Sequence, residues 1–443
     1  MLDDALFTSD FKEQPYWWDR AAPGPRTEPP PLPSSADVVI IGSGVTGMSA
    51  ALHLARAGAA VAVLDMDAIG HGASRRNAGF LGRVLKRDVV WLEQRHGTDY
   101  AMATYRELNE AFQTVKRIVS DEQLDACLNI CGRYYAANSP AHYELLAKEL
   151  EENRKRLGLD YYMVPRSEQH KELASDLYYG GAVIPDLGSI HPGLYHKGMT
   201  EAAIQAGAQL FPHTKALKIT RLARTGDRRF RVETSRGTIE AANVIEATNG
   251  YTQKEQDWLV RRVIPFTGYM IATEILPPER IDALLPKRRT YLETCMNINF
   301  IRPAPDTQRI LFGGMTGSPT PSIRHRAAEL RDLLRKILPG IGDVRISHAW
   351  SGYCAGTFDF MPHIGGEDGH YHAAGYNFAG VPLGSYFGVK LSEMVLGKPG
   401  ARSVFEEHHF PTLPLYRGNP WFVPLAMKYF DWHDARIARS KPA

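Results

Sequence analysis

The clearest strand signal in this chain is Asp37-Val38-Val39-Ile40-Ile41, a short, continuous, β-branched run typical of strands buried on both faces. Gly42-Ser43-Gly44-Val45-Thr46-Gly47 follows directly. The Ala- and Leu-rich stretch from Met48 to Ala57 predicts a helix, stopped at Gly58. Ala60-Val61-Ala62-Val63-Leu64 reads as a second strand, with Asp65 at its end. Strand, helix and strand make a βαβ unit.

Further on, residues 98–125 and 141–157 carry amphipathic helical spacing. Val183 to Ile190 is loop-like, and Tyr195 to Gly207 is helical. Between Lys215 and Ala247 the pattern alternates, through Leu217-Lys218-Ile219, Phe230 to Thr234 and Asn243 to Ala247. From Val263 to Gly314, β-branched and aromatic residues between Pro and Asp turns predict more strands. Residues 326–337 predict a short helix. The Gly-rich block 350–397 closes with a helix from Gly384 to Leu396. Residues 1–35 read as an arm. Its segment from Pro23 to Pro33 holds six prolines, too many for a helix or a central strand. The aromatic Tyr16-Trp17-Trp18 ahead of it is expected to pack onto the body. No internal repeat is visible.

Composition narrows the class. The chain has 443 residues, 44% hydrophobic and 23% charged, which excludes a disordered chain, a coiled coil and a collagen-like fibre. A net charge of +3, from 52 Lys+Arg against 49 Asp+Glu, is too balanced for a dedicated nucleic-acid binder. Four cysteines, with Cys127 and Cys131 spaced CxxxC, make neither a disulfide framework nor a metal site. The acidic opening MLDDALFTSD lacks the features of a secretory signal. No apolar run approaches the ~18 residues of a membrane span. A cytoplasmic protein without a membrane span is expected.

The glycine run carries chemistry because of its context. Gly42-x-Gly44-x-x-Gly47 follows a predicted strand and opens a helix, and Asp65 lies 23 positions after Gly42. Gly42 permits the tight turn, Gly44 lets backbone approach a pyrophosphate, and Gly47 lets helix and strand pack closely. The helix N-terminus at Val45 and Thr46 presents N–H groups and a positive dipole end to phosphates. Asp65, with Met66 beside it, is placed to accept hydrogen bonds from a ribose, and its charge disfavours a 2′-phosphate. The fingerprint alone does not separate NAD from FAD.

Three later features favour FAD. Gly72-Ala73-Ser74-Arg75-Arg76-Asn77-Ala78-Gly79 is a polar, small-residue loop suited to a flavin's phosphates and ring. Ala247-Thr248-Asn249-Gly250-Tyr251 ends a strand with small residues. Gly375-Tyr376-Asn377-Phe378-Ala379-Gly380-Val381 precedes a helix whose N-terminus would favour negative charge on a reduced flavin.

On these residues the chain resembles the D-amino-acid oxidase (DAO) superfamily of FAD-dependent oxidoreductases. It is most similar to the gamma-glutamylputrescine oxidase-like and glycine/sarcosine oxidase-like branch. The carrying segments are DVVIIGSGVTGMSAALHLARAG, LDMDAIGHGASRRNAGF, GSIHPGLYHKGMTEAAIQAGAQLF, VIEATNGYT, FIRPAPDTQRILFGG and the Gly-rich end from Trp350 to Gly397, in order over residues 37–397. The resemblance implies an α/β (α+β overall) protein: a Rossmann-like FAD-binding domain interleaved with a substrate domain containing an antiparallel sheet. The expected FAD-binding pieces are 36–95, 180–255 and 340–400, with 96–179 and 256–339 in the substrate domain and 401–443 as an extension.

The resemblance further implies that Gly42, Gly44, Gly47 and Asp65 hold the ADP half. Ser74, Arg76, Asn77, Ala78 and Gly79 would lie near the pyrophosphate and flavin. Ala216 would meet the adenine through its backbone and Thr248 would line the nucleotide. Gly375, Asn377, Gly380 and Val381 would cap the ring. Some relatives tether the flavin to a His where Arg76 stands here. Others use a Cys seven positions before the Asp of a TxD motif, and in Thr357-Phe358-Asp359 that position is Gly352, with Cys354 two off. Non-covalent FAD is therefore expected, with Cys354 as the alternative tether.

The implied reaction is oxidation of the C–N bond of a small amine or amino acid. Hydride passes to the flavin, and water hydrolyses the resulting imine. The amine must be neutral, which a desolvated, aromatic-walled pocket favours. Tyr269, Met270, Phe300, Arg302, Trp350 and Asn377 are the pocket candidates. Arg302 would either bind a substrate carboxylate or make a structural pair. His191 and His348 read as structural, and no catalytic acid or base is assigned. O2 is the expected electron acceptor, giving H2O2. A lysine over the flavin helps oxygen activation in some relatives, yet there is none between Glu255 and Pro286 or between Arg288 and Thr320. Three alternatives follow. One is a D-amino-acid or imino-acid dehydrogenase with another acceptor. Another is a flavin-binding subunit docking a partner through its aromatic N-terminal segment. The third is an NAD-dependent, colourless enzyme.

Overall fold

The computed structural model describes residues 4–24, 29–223, 229–305, 308–406 and 409–439. Two sheets organise them. The first is an eight-stranded mixed sheet. At its centre Ser35–Ile41 runs parallel to Val61–Leu64 on one side and to Gly237–Glu246 on the other. Gln209–Phe211 extends the parallel part. Phe230–Thr234 and Ala216–Arg221 continue it as an antiparallel meander, and His370–Ala374 joins Gly237–Glu246 as one arm of a hairpin.

The central strand is apolar from Val38 to Ile41 because both its faces are covered there. Val38 and Ile40 point into a core shared with helices Val45–Arg56, Thr98–Asp121, Pro192–Gln205 and Gly380–Val395. Val39 and Ile41, displaced by the two-residue period of a strand, point into a second core with Phe211, Phe230 and Val232. Helix Val45–Arg56 is sandwiched, with ten of its twelve residues buried. It meets Gly380–Val395 so closely that a Cβ on Gly388 would stand 2.6 Å from the Thr46 carbonyl oxygen.

The second sheet has nine strands in the order Phe7–Lys12, Ile346–Gly356, Ile264–Thr273, Ile310–Gly317, Phe300–Pro303, Thr290–Glu293, Arg133–Ala136, Gly181–Ile184, Tyr162–Val164. Neighbours are antiparallel except Phe7–Lys12 with Ile346–Gly356 and Thr290–Glu293 with Arg133–Ala136. Helix Ile323–Ile337 packs its Ala327, Leu330, Leu334 and Ile337 stripe on this sheet.

Sheet and core membership run across the expected pieces. Strands Ile346–Gly356 and Gly181–Ile184, expected in the FAD-binding pieces, belong to the nine-stranded sheet. Helix Thr98–Asp121, expected with the substrate piece, lies in the first core. Partner choice between strands of similar pattern depends on long-range pairing, which local periodicity does not encode. Two short strands, Gly181–Ile184 and Gly188–Ser189, replace the loop expected at 183–190, and helix Pro278–Leu284 interrupts the strands of 263–314. Residues 401–443 include helix Val423–Arg439. Among the described residues no helix is long and apolar enough to cross a membrane.

The arm is integrated rather than extended. Phe7–Lys12 is an edge strand of the nine-stranded sheet. Of the proline segment, residues 25–28 lie outside the described residues. Tyr16 and Trp17 are buried beside Met270, Leu311 and Trp350, so this segment is no free docking surface. The Trp17 indole N–H donates to the Asn77 carbonyl at 2.8 Å. Trp17→Ala is expected to cost about 3–5 kcal/mol, the usual penalty for emptying a core of a large aromatic side chain. Chemical denaturation read by tryptophan and flavin fluorescence checks it.

Candidate active site

One cavity of about 2190 Å³, counting its open mouth, runs between the two sheets. The mixed sheet and the loops after its strands line one end. Side chains of the nine-stranded sheet line the other.

At the first end the glycine loop behaves as a cradle. Gly42 has φ +103°, and a Cβ there would lie 2.8 Å from the Ala247 carbonyl oxygen. Gly44 caps helix Val45–Arg56, and a Cβ on it would stand 3.0 Å from Ser74 Oγ, in the space between helix end and loop. The Val45 N–H donates to Ser74 Oγ at 2.9 Å. Asp65 accepts from the Ser43 N–H at 3.0 Å, from the Ser43 hydroxyl and from the Asp67 N–H at 2.9 Å. Burial raises its pKa, against the pull of the Ser43 and Asp67 hydrogen bonds. A backbone open at Gly44, a helix N-terminus and a ribose-facing carboxylate fit an ADP moiety.

The loop from Gly72 to Gly79 is held by its carbonyls. Trp17 takes the Asn77 carbonyl, the Trp350 indole takes that of Arg76 at 2.8 Å, and Arg302 takes those of Ala78 at 2.9 Å and Gly79 at 3.2 Å. The Arg76 guanidinium donates to the His71 and Ser351 carbonyls and lies over the Trp18 ring. Beneath the loop, Arg75 Nε donates to His196 Nδ1 at 3.0 Å, and His196 Nε2 donates to the Ser43 carbonyl at 2.6 Å. This network needs a neutral imidazole. Burial and the Arg75 charge pull the His196 pKa down to about 3. The unfolded chain binds a proton near pH 6.5 that the folded one refuses until about pH 3. Stability is therefore expected to fall through that window, by about 1.4 kcal/mol per pH unit. Denaturant titrations of the wild type and His196→Asn at several pH values measure the difference.

The C-terminal block closes the cavity. Gly375, Asn377 and Phe378 all have positive φ, at +79°, +47° and +78°. The turn is locked by Asn377 Nδ2 on the Gly375 carbonyl at 2.6 Å, by the Gly375 N–H on Asn249 Oδ1 at 2.9 Å, and by the Tyr376 hydroxyl with the Thr46 hydroxyl at 2.6 Å. A bulky residue held at positive φ is strained, and such strain collects at ligand sites. The turn delivers the N-terminus of helix Gly380–Val395 to the cavity wall.

The far end is apolar: Phe80, Tyr269, Met270, Leu292, Ile298, Phe300, Thr316, Trp350, Tyr353 and Phe378 line it. The Tyr269 hydroxyl is spent on the Ser318 carbonyl at 2.7 Å. Cys354 faces the cavity with its thiol pushed up to about 12 by burial, so it is no nucleophile. Gly352 and Arg76 face one another, a Cβ at 352 falling 3.2 Å from Arg76 Cβ. Among the described lining residues there is no histidine, and the only carboxylates, Asp65 and Asp67, sit at the nucleotide end.

Most residues singled out from the sequence meet in this cavity: Gly42, Gly44, Val45, Thr46, Asp65, Met66, Gly72, Ala73, Ser74, Arg76, Asn77, Ala78, Gly79, Ala216, Ala247, Thr248, Tyr269, Met270, Phe300, Trp350, Asn377, Gly380 and Val381. Gly47, Gly250 and Gly375 stand behind the wall, where a Cβ would strike the Gly42 carbonyl, the Cys354 carbonyl and Thr357. Arg302 corrects the expectation of a carboxylate binder. It is 2% exposed, does not reach the cavity, and spends its guanidinium on the Ala78, Gly79 and Ile190 carbonyls and on the Trp17 ring. His191 caps helix Pro192–Gln205 and His348 bonds Asp19, both structural roles. Lining residues beyond those assigned a role from the sequence include Tyr251, the last residue of the 247–251 motif, and Lys86, which no motif marks.

Comparison with known proteins agrees with this geometry. The chain is 29% identical to gamma-glutamylputrescine oxidoreductase of Escherichia coli over 408 residues, covering 90% of this chain and 93% of that one. It is equally 29% identical to a probable oxidoreductase OrdL of Rhizobium meliloti, covering 95% and 97%. The crystal structure of glycine oxidase from Geobacillus kaustophilus superposes with a TM-score of 0.70 at 20% identity, over 85% of this chain and all of that one. The family model described as FAD dependent oxidoreductase (DAO) matches residues 37–394. With the glycine cradle, the pinned loop and two helix N-termini around one cavity, the chain belongs to the DAO family of FAD-dependent oxidoreductases.

Proposed function

We propose that this enzyme oxidises the C–N bond of a small amine or amino acid, with O2 as the final acceptor. Bound FAD supplies a two-electron acceptor for the hydride of the carbon next to nitrogen, and water hydrolyses the imine so formed. The carrying observation is that one cavity joins a dinucleotide cradle to an apolar end without histidine or carboxylate among its described lining residues. A neutral amine needs no base to take a proton from it, and an apolar wall favours that neutral form. Tyr251 and Tyr269 stay protonated, their pKa values raised by burial. The N-terminus of helix Gly380–Val395 and the Arg76 guanidinium favour added negative charge beside them. The names of the relatives, gamma-glutamylputrescine oxidoreductase and glycine oxidase, support an amine or amino-acid substrate.

The cofactor is held without a covalent bond, since Arg76 and Gly352 stand at the tethering positions and the Cys354 thiol is kept protonated, its pKa pushed up to about 12. Acid precipitation is expected to release all the flavin into the supernatant, from the wild type and from Cys354→Ser alike. Yellow colour retained in the pellet of the wild type alone would reverse this. The four cysteines are all free, which fits a reducing, cytoplasmic setting. The deciding experiment adds amines and amino acids to the anaerobic holoenzyme and follows the flavin spectrum. Bleaching by an amine, followed by recovery and H2O2 on admitting air, is the expected result. Bleaching without recovery in air would replace O2 by another acceptor. An enzyme bleached by none of them would overturn the reading.

A further inference from the structure

The apolar end of the cavity contains one feature the proposed chemistry leaves unused. Lys86 projects into it from the segment after the small-residue loop. Its ammonium lies 5.0 Å from the centre of the Phe378 ring, and Phe378 in turn packs on Phe266 at 5.3 Å. Among the described residues Lys86 has neither an ion pair nor a hydrogen bond. The nearest influential carboxylate, Asp434 on helix Val423–Arg439, is engaged elsewhere. It accepts the Met296 N–H at 2.8 Å and fixes the turn that brings Ile298 into the cavity.

Lys86 is half-buried and Phe378 is 47% exposed, so the ammonium stands toward the cavity mouth, where a ligand that brings a negative charge gains a partner with no competing one. Other cations near the cavity are already committed. Arg302 and Arg133 are spent on backbone carbonyls, and Lys215 pairs with Glu255 at 2.9 Å. Arg76 serves the loop that holds the cofactor.

Building on the proposed amine oxidation, we propose that Lys86 is the anion-recognition residue of the substrate pocket, so that the preferred substrate is an amine that also carries a carboxylate. The carboxylate pairs with the ammonium against the Phe378 face, and the aliphatic part of the substrate lies along Met270, Leu292, Ile298 and Phe300. This is the role the sequence suggested for Arg302, moved to a residue that faces the cavity. Burial draws the Lys86 pKa down to about 8, as expected of an ammonium short of negative charge.

The test uses the holoenzyme and simple probes. Butyrate and its neutral analogue butyramide are titrated while the visible flavin spectrum is followed, with the wild type, Lys86→Met and Lys86→Arg. The expected result is that Lys86→Met weakens butyrate about 10- to 100-fold, the range for losing a charge-assisted hydrogen bond, while butyramide is unaffected and Lys86→Arg restores most of the affinity. Turnover should follow. KM for 4-aminobutyrate rises in Lys86→Met, and KM and kcat for butylamine do not. Equal butyrate affinity in wild type and Lys86→Met, with flavin retained, overturns the proposal. So does a variant that slows bleaching by butylamine or reoxidation by air as much as it affects 4-aminobutyrate, because the lysine then serves the chemistry itself. A variant that loses its flavin is replaced by wild-type enzyme under limited lysine acylation. There, butyrate but not butyramide should protect Lys86, and equal labelling overturns the proposal. Failure of the wider amine-oxidation reading is distinct, since no amine would then bleach the wild type.

Discussion

Gly47→Ala is expected to yield an enzyme stripped of flavin and markedly less stable. The residue does not touch the cavity. It lies in the first turn of helix Val45–Arg56, where a Cβ would fall 2.0 Å from the Gly42 carbonyl oxygen and 3.3 Å from Ile40 Cγ2. Neither neighbour can yield. Gly42 is held by its N–H on the Leu64 carbonyl at 2.8 Å, and Ile40 is fully buried in the parallel sheet. The helix must lift off the strand, which opens its packing against the sheet and against helix Gly380–Val395. Overpacking of this kind costs about 1–3 kcal/mol when flexible side chains absorb it, and more when backbone is struck. The same movement displaces the helix N-terminus from the phosphate position. The ratio of visible flavin absorbance to protein absorbance, with a thermal melt in excess FAD, measures both effects. Normal flavin content in Gly47→Ala would show that the helix and strand can separate without cost.

Arg302→Met is expected to produce a folding and cofactor-loading defect rather than a substrate-binding one. The guanidinium is the fastener between strand Phe300–Pro303 and the small-residue loop. One nitrogen reaches the Ala78, Gly79 and Ile190 carbonyls. Methionine keeps much of the apolar length and leaves those three carbonyls without this donor, at about 1–3 kcal/mol for each that stays buried and unsatisfied. Lysine restores charge without the planar fork, so Arg302→Lys should recover only part of the loss. Flavin content and denaturation midpoint should drop in both variants. KM for an amine, corrected for flavin occupancy, should stay near the wild-type value. A raised KM with full flavin occupancy would return Arg302 to the substrate pocket.

The first half of the site was legible because its chemistry is local. A β-branched run, three glycines at fixed spacing and an acid at the end of the next strand are neighbours in sequence, and backbone sterics force them into one turn. Each of the other stretches, 72–79, 247–250 and 375–381, was marked by small residues, which a chain concentrates where backbone must approach a ligand or adopt positive φ. Which of those glycines face the cavity was not legible. Gly42 and Gly44 line it, while Gly47, Gly250 and Gly375 give room to other backbone, and the residue type is the same in each case.

By itself, the sequence determined the class of the protein: a βαβ dinucleotide-binding unit, further strand-rich stretches and an FAD-dependent chemistry. The unit and the strands rest on period, spacing and local turn geometry, which act over a few residues, whereas the FAD-dependent chemistry is what the resemblance to the DAO superfamily implies. Only the tertiary structure decided which strands belong to which sheet, that Tyr16 and Trp17 are interior, and which cation faces the substrate. Arg302 looked suited to bind a carboxylate because its type allows it, yet three carbonyls from distant segments claim it. Lys86 carried no motif, yet the packing of two sheets leaves it facing the apolar end of the cavity. A side chain's chemistry is written in its residue type. Whether that chemistry is already spent depends on neighbours hundreds of residues away, brought close by the pairing of strands.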